Sequence, residues 1–199
     1  MGVAGSEWAN NVLEAALGGY TDEAYGIRGT GLKPKLTITE MVICEELLYG
    51  SEETEELLYC GDESPKAAQI FGSDPALMRE VCGSEDLAPF DLIDINMGCP
   101  MPKVVKNGDG SALMENLPLA EKVISACALS GKRISVNFRI GVDEDHKIAA
   151  EFARLCDGAG ACMSAVHGRS PDQAYSGPTG AAPRRWAKSR VTHPGRPSG

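Results

Sequence analysis

The 199-residue sequence contains no apolar run that approaches the roughly 18 residues needed for a membrane-spanning helix. Its first 14 residues also lack the basic region and apolar stretch of a secretory signal. The seven cysteines include no C-x-x-C pair, and their irregular spacing argues against structural zinc or a disulfide framework. We therefore expect a cytoplasmic protein with no membrane partner and no structural metal.

An excess of basic residues is missing as well. The sequence has 19 Lys and Arg residues against 28 Asp and Glu residues, a net charge of -9, whereas proteins that coat nucleic acid usually show a basic footprint. The charge is unevenly distributed, because residues 177–199 contain five basic residues and no acidic residue. This segment also lacks apolar periodicity, so we predict a folded domain over residues 1–176 followed by a disordered basic tail over residues 177–199.

Short apolar runs rich in Val, Ile and Thr recur along the folded part of the sequence and are typical of buried strands. They start roughly 25 to 40 residues apart, which is the length of a βα unit. The predicted strands span residues 11–17, 36–42, 67–71, 92–97, 134–140 and 163–167. The segments between them show helical patterns at residues 74–81, capped by Ser73, and at residues 119–129 and 145–156.

Two folds accommodate this alternation: an open doubly wound sheet and a closed (β/α)₈ barrel. No G-x-G-x-x-G follows the first predicted strand, and polar, glycine-containing segments follow several strands. Chemistry distributed over many strand ends is typical of a barrel. Because only six βα units precede the tail, we predict an incomplete TIM barrel of the (β/α)₈ type.

The densest group of chemically useful side chains follows the predicted strand over residues 92–97. Asn96 and Cys99, separated by Met97 and Gly98, place an amide and a thiol at the end of this buried strand. A lysine-containing loop continues from Pro100. The alternative interpretation is an ordinary βα loop in which the cysteine is incidental.

The stretch from Asp94 to Met114 closely resembles the signature of the tRNA-dihydrouridine synthases. These are flavin enzymes with a (β/α)₈ barrel and a small helical domain after it. Other segments match the family in order and spacing, so that the resemblance covers about residues 11–177. The additional matching segments are Gly19-Tyr20-Thr21-Asp22, Thr39-Glu40-Met41-Val42, residues 69–75, Val166-His167-Gly168-Arg169, Gln173 and Tyr175-Ser176-Gly177.

This resemblance implies FMN-dependent reduction of the C5=C6 bond of uridine in tRNA, with NADPH as the reductant of the flavin. Hydride transfer to C6 requires a proton at C5, and Cys99 matches the family's proton donor. Unlike a carboxylic acid, a thiol stays mostly protonated at neutral pH. The implied partner is tRNA rather than DNA, and the target base must leave the stack to reach the flavin.

Three further residues match family positions in the flavin region, and a fourth is a candidate for cofactor contact. Gln69 matches a glutamine that hydrogen-bonds the flavin ring, Asn96 an asparagine near flavin and base, and His167 a histidine of the flavin region. Each has a structural alternative, namely a loop cap, a turn former or a core histidine. Arg139 is a candidate for contact with the flavin phosphate or RNA, although a solvated arginine at a strand end fits nearly as well.

Lys103 and Lys106 are candidates for contact with tRNA phosphates, with a solvated loop as the alternative. The sequence departs from the family at Asn137, where a lysine is expected. We expect the missing charge to make flavin binding or reduction less favourable.

The family pattern stops near Gly177, where the composition changes. A shifted reading frame is one hypothesis for the origin of the tail, and we expect this truncated chain to be weakly active or inactive. The sequence leaves two alternative functions open. One is another FMN-dependent barrel oxidoreductase that acts on a free pyrimidine, and the other is a non-catalytic remnant that binds RNA or protein.

Overall fold

Five parallel strands form one sheet in which the spatial order follows the order along the chain. The computed structural model describes residues 36–50, 57–58 and 65–173. The strands are β1 (Thr37–Ile43), β2 (Lys66–Phe71), β3 (Leu92–Met97), β4 (Ile134–Arg139) and β5 (Met163–His167). A doubly wound sheet reverses its strand order at a switch point. The uninterrupted order β1-β2-β3-β4-β5 therefore matches part of a TIM barrel and confirms the predicted fold class.

The strand bounds agree with the sequence pattern to within one residue, because each strand coincides with a short, largely apolar run of the kind found in parallel sheets. The predicted strand over residues 11–17 and the predicted tail over residues 177–199 lie outside the described residues. These two expectations stay predictions.

Helices alternate with the strands, as the βα pattern predicts. They are α1 (Cys44–Tyr49), α2 (Pro75–Cys82), α3 (Pro102–Lys106), a 3₁₀ helix (Gly110–Glu115), α4 (Leu117–Ala128) and α5 (Ala149–Gly158). The apolar pattern does not predict α1, and the lysine-containing segment after Pro100, expected to be a loop, forms α3. Helices of five or six residues have too few turns to show a helical period.

The helix cap predicted at Ser73 is wrong, because Asp74 caps α2 instead. One carboxylate oxygen, Oδ1 of Asp74, accepts hydrogen bonds from the backbone N–H groups of Ala76 and Leu77, at 2.8 and 3.1 Å. Pro75 then occupies the first helical turn, where its missing N–H costs nothing.

The last helix begins later than residue 145, where the pattern placed its start. The Asp143 carboxylate accepts hydrogen bonds from the N–H groups of Asp145 and His146 and so forms a separate turn before α5. Side chains of this type compete with the helix for backbone donors. The helix therefore starts at Ala149.

The main core lies between one face of the sheet and the helices α2, α4 and α5. Ile70, Ile95 and Phe138 project from three adjacent strands into this core and are fully buried. The Phe138 ring lies 4.8 Å from the ring of Phe152 on α5, in a tilted arrangement that suits aromatic pairs. Burial of each such side chain contributes about 1.5–3 kcal/mol, so this face supplies most of the packing energy.

A smaller apolar cluster lies on the opposite face, near the amino ends of the strands. It contains Leu36, Ile38, Ala67 and Leu92, with Met163 packed against it. This cluster gives the opposite face an apolar base beneath the polar residues described below. No helix within the described part of the chain is long and apolar enough to cross a membrane.

Candidate functional site

Polar side chains occupy the sheet face opposite the helices, towards the carboxyl ends of the strands. Side chains alternate between the two faces of a strand, so every second residue of β2 to β5 belongs to this face. Register brings Gln69 beside Asp94, Asp94 beside Ser135, and Arg139 beside His167. We call this surface the polar face, and it consists of Gln69, Asp94, Asn96, Ser135, Asn137, Arg139 and His167.

A continuous hydrogen-bonded chain links four of these side chains. Ser135 Oγ donates to Oδ1 of Asp94, and Nε2 of Gln69 donates to Oδ2 of the same carboxylate at 2.7 Å. The amide Nδ2 of Asn96 donates to Oε1 of Gln69 at 3.0 Å. The structure thus brings together Gln69 and Asn96, two of the four residues predicted to bind the cofactor.

Asp94 lies at the bottom of this chain with 1% of its surface exposed. Burial raises the pKa of Asp94 above its usual range, because the charged form loses its hydration, while hydrogen bonds from Ser135 and Gln69 act in the opposite direction. Both carboxylate oxygens have a donor partner, which is the condition for placing such a group inside a protein.

The same chain ends on the backbone at Cys99. Oδ1 of Asn96 accepts hydrogen bonds from the N–H groups of Gly98 at 3.0 Å and Cys99 at 2.9 Å. The carbonyl oxygen of Cys99 accepts a hydrogen bond from the N–H of Ser111 at 3.0 Å. Because the N–H and carbonyl groups of Cys99 are both hydrogen-bonded, the position of its Cα–Cβ bond is fixed.

Close packing by the 3₁₀ helix also holds Cys99. Gly110 has a φ of +58°, and a Cβ atom added there would lie 2.7 Å from the Cys99 carbonyl oxygen and 3.2 Å from its Cβ. Only glycine fits this approach without displacing the cysteine. The Cys99 side chain packs with Phe71 and Val104, which leaves 9% of the residue exposed.

Arg139 ties two loops together at the end of the sheet. Its Nε donates to the carbonyl oxygen of Gly98 at 2.6 Å and its Nη1 to the carbonyl oxygen of Ser170 at 3.1 Å. Gly98 packs closely against β4, because a Cβ atom added there would lie 3.3 Å from the Cα atom of Phe138. The buried guanidinium is therefore part of the site framework and differs from the solvated arginine considered as an alternative.

His167 ends β5 beside Arg139 and is half-buried. Its Nδ1 accepts a hydrogen bond from the N–H of Arg169 at 3.3 Å, so the neutral ring carries its hydrogen on Nε2. Gln173 fixes the following loop by accepting a hydrogen bond from the N–H of Ser170 at 3.1 Å. The polar face thus has a ring N–H donor at its edge.

The two lysines predicted to contact tRNA lie on α3, immediately after the cysteine. Lys103 and Lys106 are both exposed, and α3 begins three residues after Cys99. Their charges are accessible at the same end of the sheet as the thiol. They lie apart from the hydrogen-bonded chain of the polar face.

Asn137 occupies the polar face where the family resemblance calls for lysine. It is half-buried and pairs in register with Asn96 on the neighbouring strand. The position is therefore directed towards the polar face, as the resemblance implies.

The sequence prediction missed Asp94 and Ser135 as parts of the site. Both are polar residues at alternate positions inside otherwise apolar strands, and that contrast is the signal that identifies them. Gly110 was also missed, since its role depends on a contact with the backbone of Cys99.

These features define an α/β protein of the TIM-barrel type with polar groups at the carboxyl ends of its strands. A family model described as dihydrouridine synthase matches residues 15–186. The chain therefore belongs to the dihydrouridine synthase family, whose fold is a TIM barrel.

Individual relatives agree with this assignment. A probable tRNA-dihydrouridine synthase of Treponema pallidum is 38% identical over 175 residues, which cover 84% of this chain and 52% of the relative. A tRNA-dihydrouridine synthase B of Xanthomonas campestris is 32% identical over 171 residues, covering 85% of this chain and 52% of the relative. The chain spans about half the length of these curated relatives.

Proposed function

We propose that the polar face binds FMN and that this chain reduces the C5=C6 bond of uridine in tRNA, with Cys99 as the proton donor. The observation that carries the proposal is the hydrogen-bonded chain that joins the Gln69 and Asn96 amides to the backbone of Cys99. It couples the groups suited to hold a flavin ring to the group suited to protonate the substrate.

The donors and acceptors of the polar face suit a flavin. Only one N–H bond of the Gln69 amide is used within the described residues, which leaves the second for an outside acceptor. The Oγ of Ser170 is buried without a hydrogen-bond partner among those residues, and the Ser170 carbonyl is bonded to Arg139. Amide, hydroxyl and cationic groups of this kind suit the carbonyl-rich ring and the phosphate of FMN. We assign Gln69, Asn96, Arg139 and His167 to the cofactor.

The polar face would hold FMN, and the reduced cofactor would supply the hydride for C6 of the uracil ring. The thiol of Cys99 gives its proton to C5, so the two hydrogens of the product come from two different sources. The thiolate that remains then regains a proton from solvent. NADPH is the proposed reductant that restores the reduced flavin.

The surroundings of Cys99 serve this role by fixing position and limiting water. Asn96 and Ser111 hold its N–H and carbonyl groups, so the thiol moves only about the Cα–Cβ bond. Phe71 and Val104 cover most of the side chain. A proton donor held in this way reaches one atom of a bound base, which favours transfer to a single carbon.

The proposed partner is tRNA, and Lys103 and Lys106 are suited to meet its phosphates. They are exposed on α3, which follows Cys99 in the sequence, whereas the chain as a whole carries a net charge of -9. Each phosphate contact adds salt dependence to binding. The target uridine must leave the tRNA stack before it reaches Cys99.

Single-turnover reduction of tRNA tests this function, with a matched pair of cysteine variants. Excess protein is mixed with FMN, NADPH and tRNA, and dihydrouridine is quantified by mass spectrometry. We expect slow product formation, consistent with a weakly active chain, at the same rate in the wild type and in Cys162→Ala, which alters an exposed cysteine. Cys99→Ala should form product at least about 100-fold more slowly, because it lacks the general acid.

Three outcomes would count against the proposal. Equal rates for Cys99→Ala and Cys162→Ala would remove Cys99 from its role. Reduction of free uracil in preference to tRNA would favour a pyrimidine oxidoreductase. Failure of the wild type to bind FMN at all would favour a non-catalytic remnant.

A further inference from the structure

Asp94 is buried below the proposed reaction site and takes no part in the chemistry described above. It is the acceptor at one end of the hydrogen-bonded chain, and the N–H groups of Gly98 and Cys99 are the donors at the other end. The members of this hydrogen-bonded chain lie on the three adjacent strands β2, β3 and β4 and in the loop after β3.

The direction of every hydrogen bond in this chain follows from its ends. Backbone N–H groups only donate, so the atom of Asn96 that faces Gly98 and Cys99 must be Oδ1. The Asn96 Nδ2 then faces Gln69, whose nearer atom must be Oε1. This leaves Nε2 of Gln69 facing position 94, where it needs an acceptor.

We propose that Asp94 is a positioning residue that holds Gln69, Asn96 and the Gly98–Cys99 backbone in one arrangement by serving as the terminal acceptor of the chain. Without an acceptor at position 94, the hydrogen bond that orients the Gln69 amide is lost. Asn96 Nδ2 then keeps only its weak contact with Met41 Sδ at 3.6 Å, so Asn96 holds the Cys99 backbone less firmly. The hydrogen bonding stands by itself, but its consequence for catalysis rests on the proposed function.

Ser135 makes the position tolerant of an uncharged acceptor. Its hydroxyl donates to Oδ1 of a carboxylate, and a hydroxyl can equally accept a hydrogen bond. In Asp94→Asn, the amide oxygen can accept from Gln69 while the amide nitrogen donates to Ser135. In Asp94→Leu, a side chain of similar size offers no acceptor. The proposal therefore requires that asparagine replace Asp94 and that leucine fail to do so.

Amide hydrogen exchange in the protein without flavin or tRNA tests this requirement. In Asp94→Leu, the N–H groups of Gly98 and Cys99 should exchange at least about tenfold faster than in the wild type, since each depends on a hydrogen bond to Asn96. The N–H of Phe152, bonded to the Ile148 carbonyl in α5, reports loss of overall stability and should change less. In Asp94→Asn, all three should stay within about threefold of the wild type. The matched control Asp91→Asn changes an exposed acceptor at the start of β3 and should leave Gly98 and Cys99 unchanged.

Two results would overturn the proposal. One is Asp94→Leu with Gly98 and Cys99 still protected, as a purely space-filling role predicts. The other is Asp94→Asn exchanging as fast as Asp94→Leu. Because no cofactor is present, a failure to bind FMN would contradict the proposed function and leave this result unaffected.

A variant of Gln69 keeps the test decisive if Asp94→Leu does not fold. Asp94 is linked to Asn96 only through the Gln69 amide, so Gln69→Met interrupts the same hydrogen-bonded chain. Exchange at Gly98 and Cys99 should then be about tenfold faster than in the wild type, with a smaller change at Phe152. Unchanged exchange at Gly98 and Cys99 would contradict the role of Asp94.

Discussion

The two faces of the sheet are built from alternate residues of the same strands, yet they differ in chemistry towards the carboxyl ends of those strands. On β3, Ile93 and Ile95 pack against the helices, while Asp94 and Asn96 belong to the polar face. A shift of one residue would exchange the two sets. Strand register therefore decides which side chains stabilise the fold and which are available for chemistry.

The division also predicts which measurements respond to changes on each face. Apolar side chains on the helix side gain free energy by leaving water, whereas the polar face must hydrogen-bond every buried group. Substitutions on the helix side should therefore lower stability, and substitutions on the polar face should mainly lower flavin binding.

The largest effect is expected on the helix side of the sheet. Phe152→Ala removes a fully buried ring that packs on Phe138, so the free energy of unfolding should fall by about 3–5 kcal/mol. His167→Ala alters a half-buried residue of the polar face and should cost about 1 kcal/mol or less while weakening FMN binding. Urea unfolding and flavin titration of both variants measure this contrast. Equal losses of stability in the two variants would contradict this division between the helix side and the polar face.

A second, smaller effect isolates the packing against Cys99. Gly110→Ala combines a positive φ with a contact to the Cys99 carbonyl oxygen, whereas Gly131→Ala has a φ of +85° with nothing within 4 Å of the new Cβ. The positive φ costs each variant about 1–2 kcal/mol. We expect Gly110→Ala to cost about 1–3 kcal/mol more and to alter the reactivity of Cys99 towards alkylating reagents. Equal unfolding free energies would show that the 3₁₀ helix does not constrain Cys99.

The polar face departs from the family pattern at Asn137, where a lysine is expected. Asn137→Lys introduces a cation there, and FMN should bind about three- to tenfold more tightly, with the gain reduced by salt. Methionine is similar in length to lysine but carries no charge, so Asn137→Met serves as the control. Flavin fluorescence titration measures both affinities. The interpretation would be wrong if the two variants bound FMN equally well.

The smallest effect concerns an exposed pair outside the polar face. Nδ1 of His146 lies 2.7 Å from Oδ2 of Asp143, and this hydrogen bond raises the pKa of His146 and lowers that of Asp143. The His146 contribution to stability is complete below its ordinary pKa of about 6.5 and is lost as pH rises through the raised value. The Asp143 contribution is present above about 3.9 and is lost as pH falls through the lowered value.

NMR titration of the His146 ring measures this interaction. Asp143→Asn should bring the pKa of His146 back towards its ordinary value, because the carboxylate partner is gone. Glu144→Gln changes a neighbouring exposed acid and serves as the control. An equal change in the pKa of His146 in both variants would indicate that the shift arises from general surface charge rather than from Asp143.

Much of the fold follows from local patterns in the sequence. The runs at residues 92–97 and 163–167 give the strand bounds directly, since short, largely apolar runs between polar or glycine-containing segments are typical of strands. Helix ends are harder to predict, because Ser73 and Asp74 are both good caps and only the folded backbone selects between them. In the same way, Asp143 captures donors that the pattern assigns to the last helix.

The candidate site divides along similar lines. The Asn96 to Cys99 contact spans three residues, so a sequence motif can reveal it. The bond from Ser135 to Asp94 joins positions 41 residues apart and exists only through the β3–β4 register. The contact of Gly110 with Cys99 likewise depends on where the 3₁₀ helix packs.

The central claim is that the polar face holds a flavin, and direct titration of the protein with FMN tests it. Flavin fluorescence is followed for the wild type, for Gln69→Met and for Leu77→Met, which makes a similar change at a half-buried residue of α2 outside the polar face. We expect saturable binding to the wild type and to Leu77→Met, with affinity at least about tenfold lower for Gln69→Met. Absence of saturable binding to the wild type, or equal affinity for Gln69→Met, would contradict it.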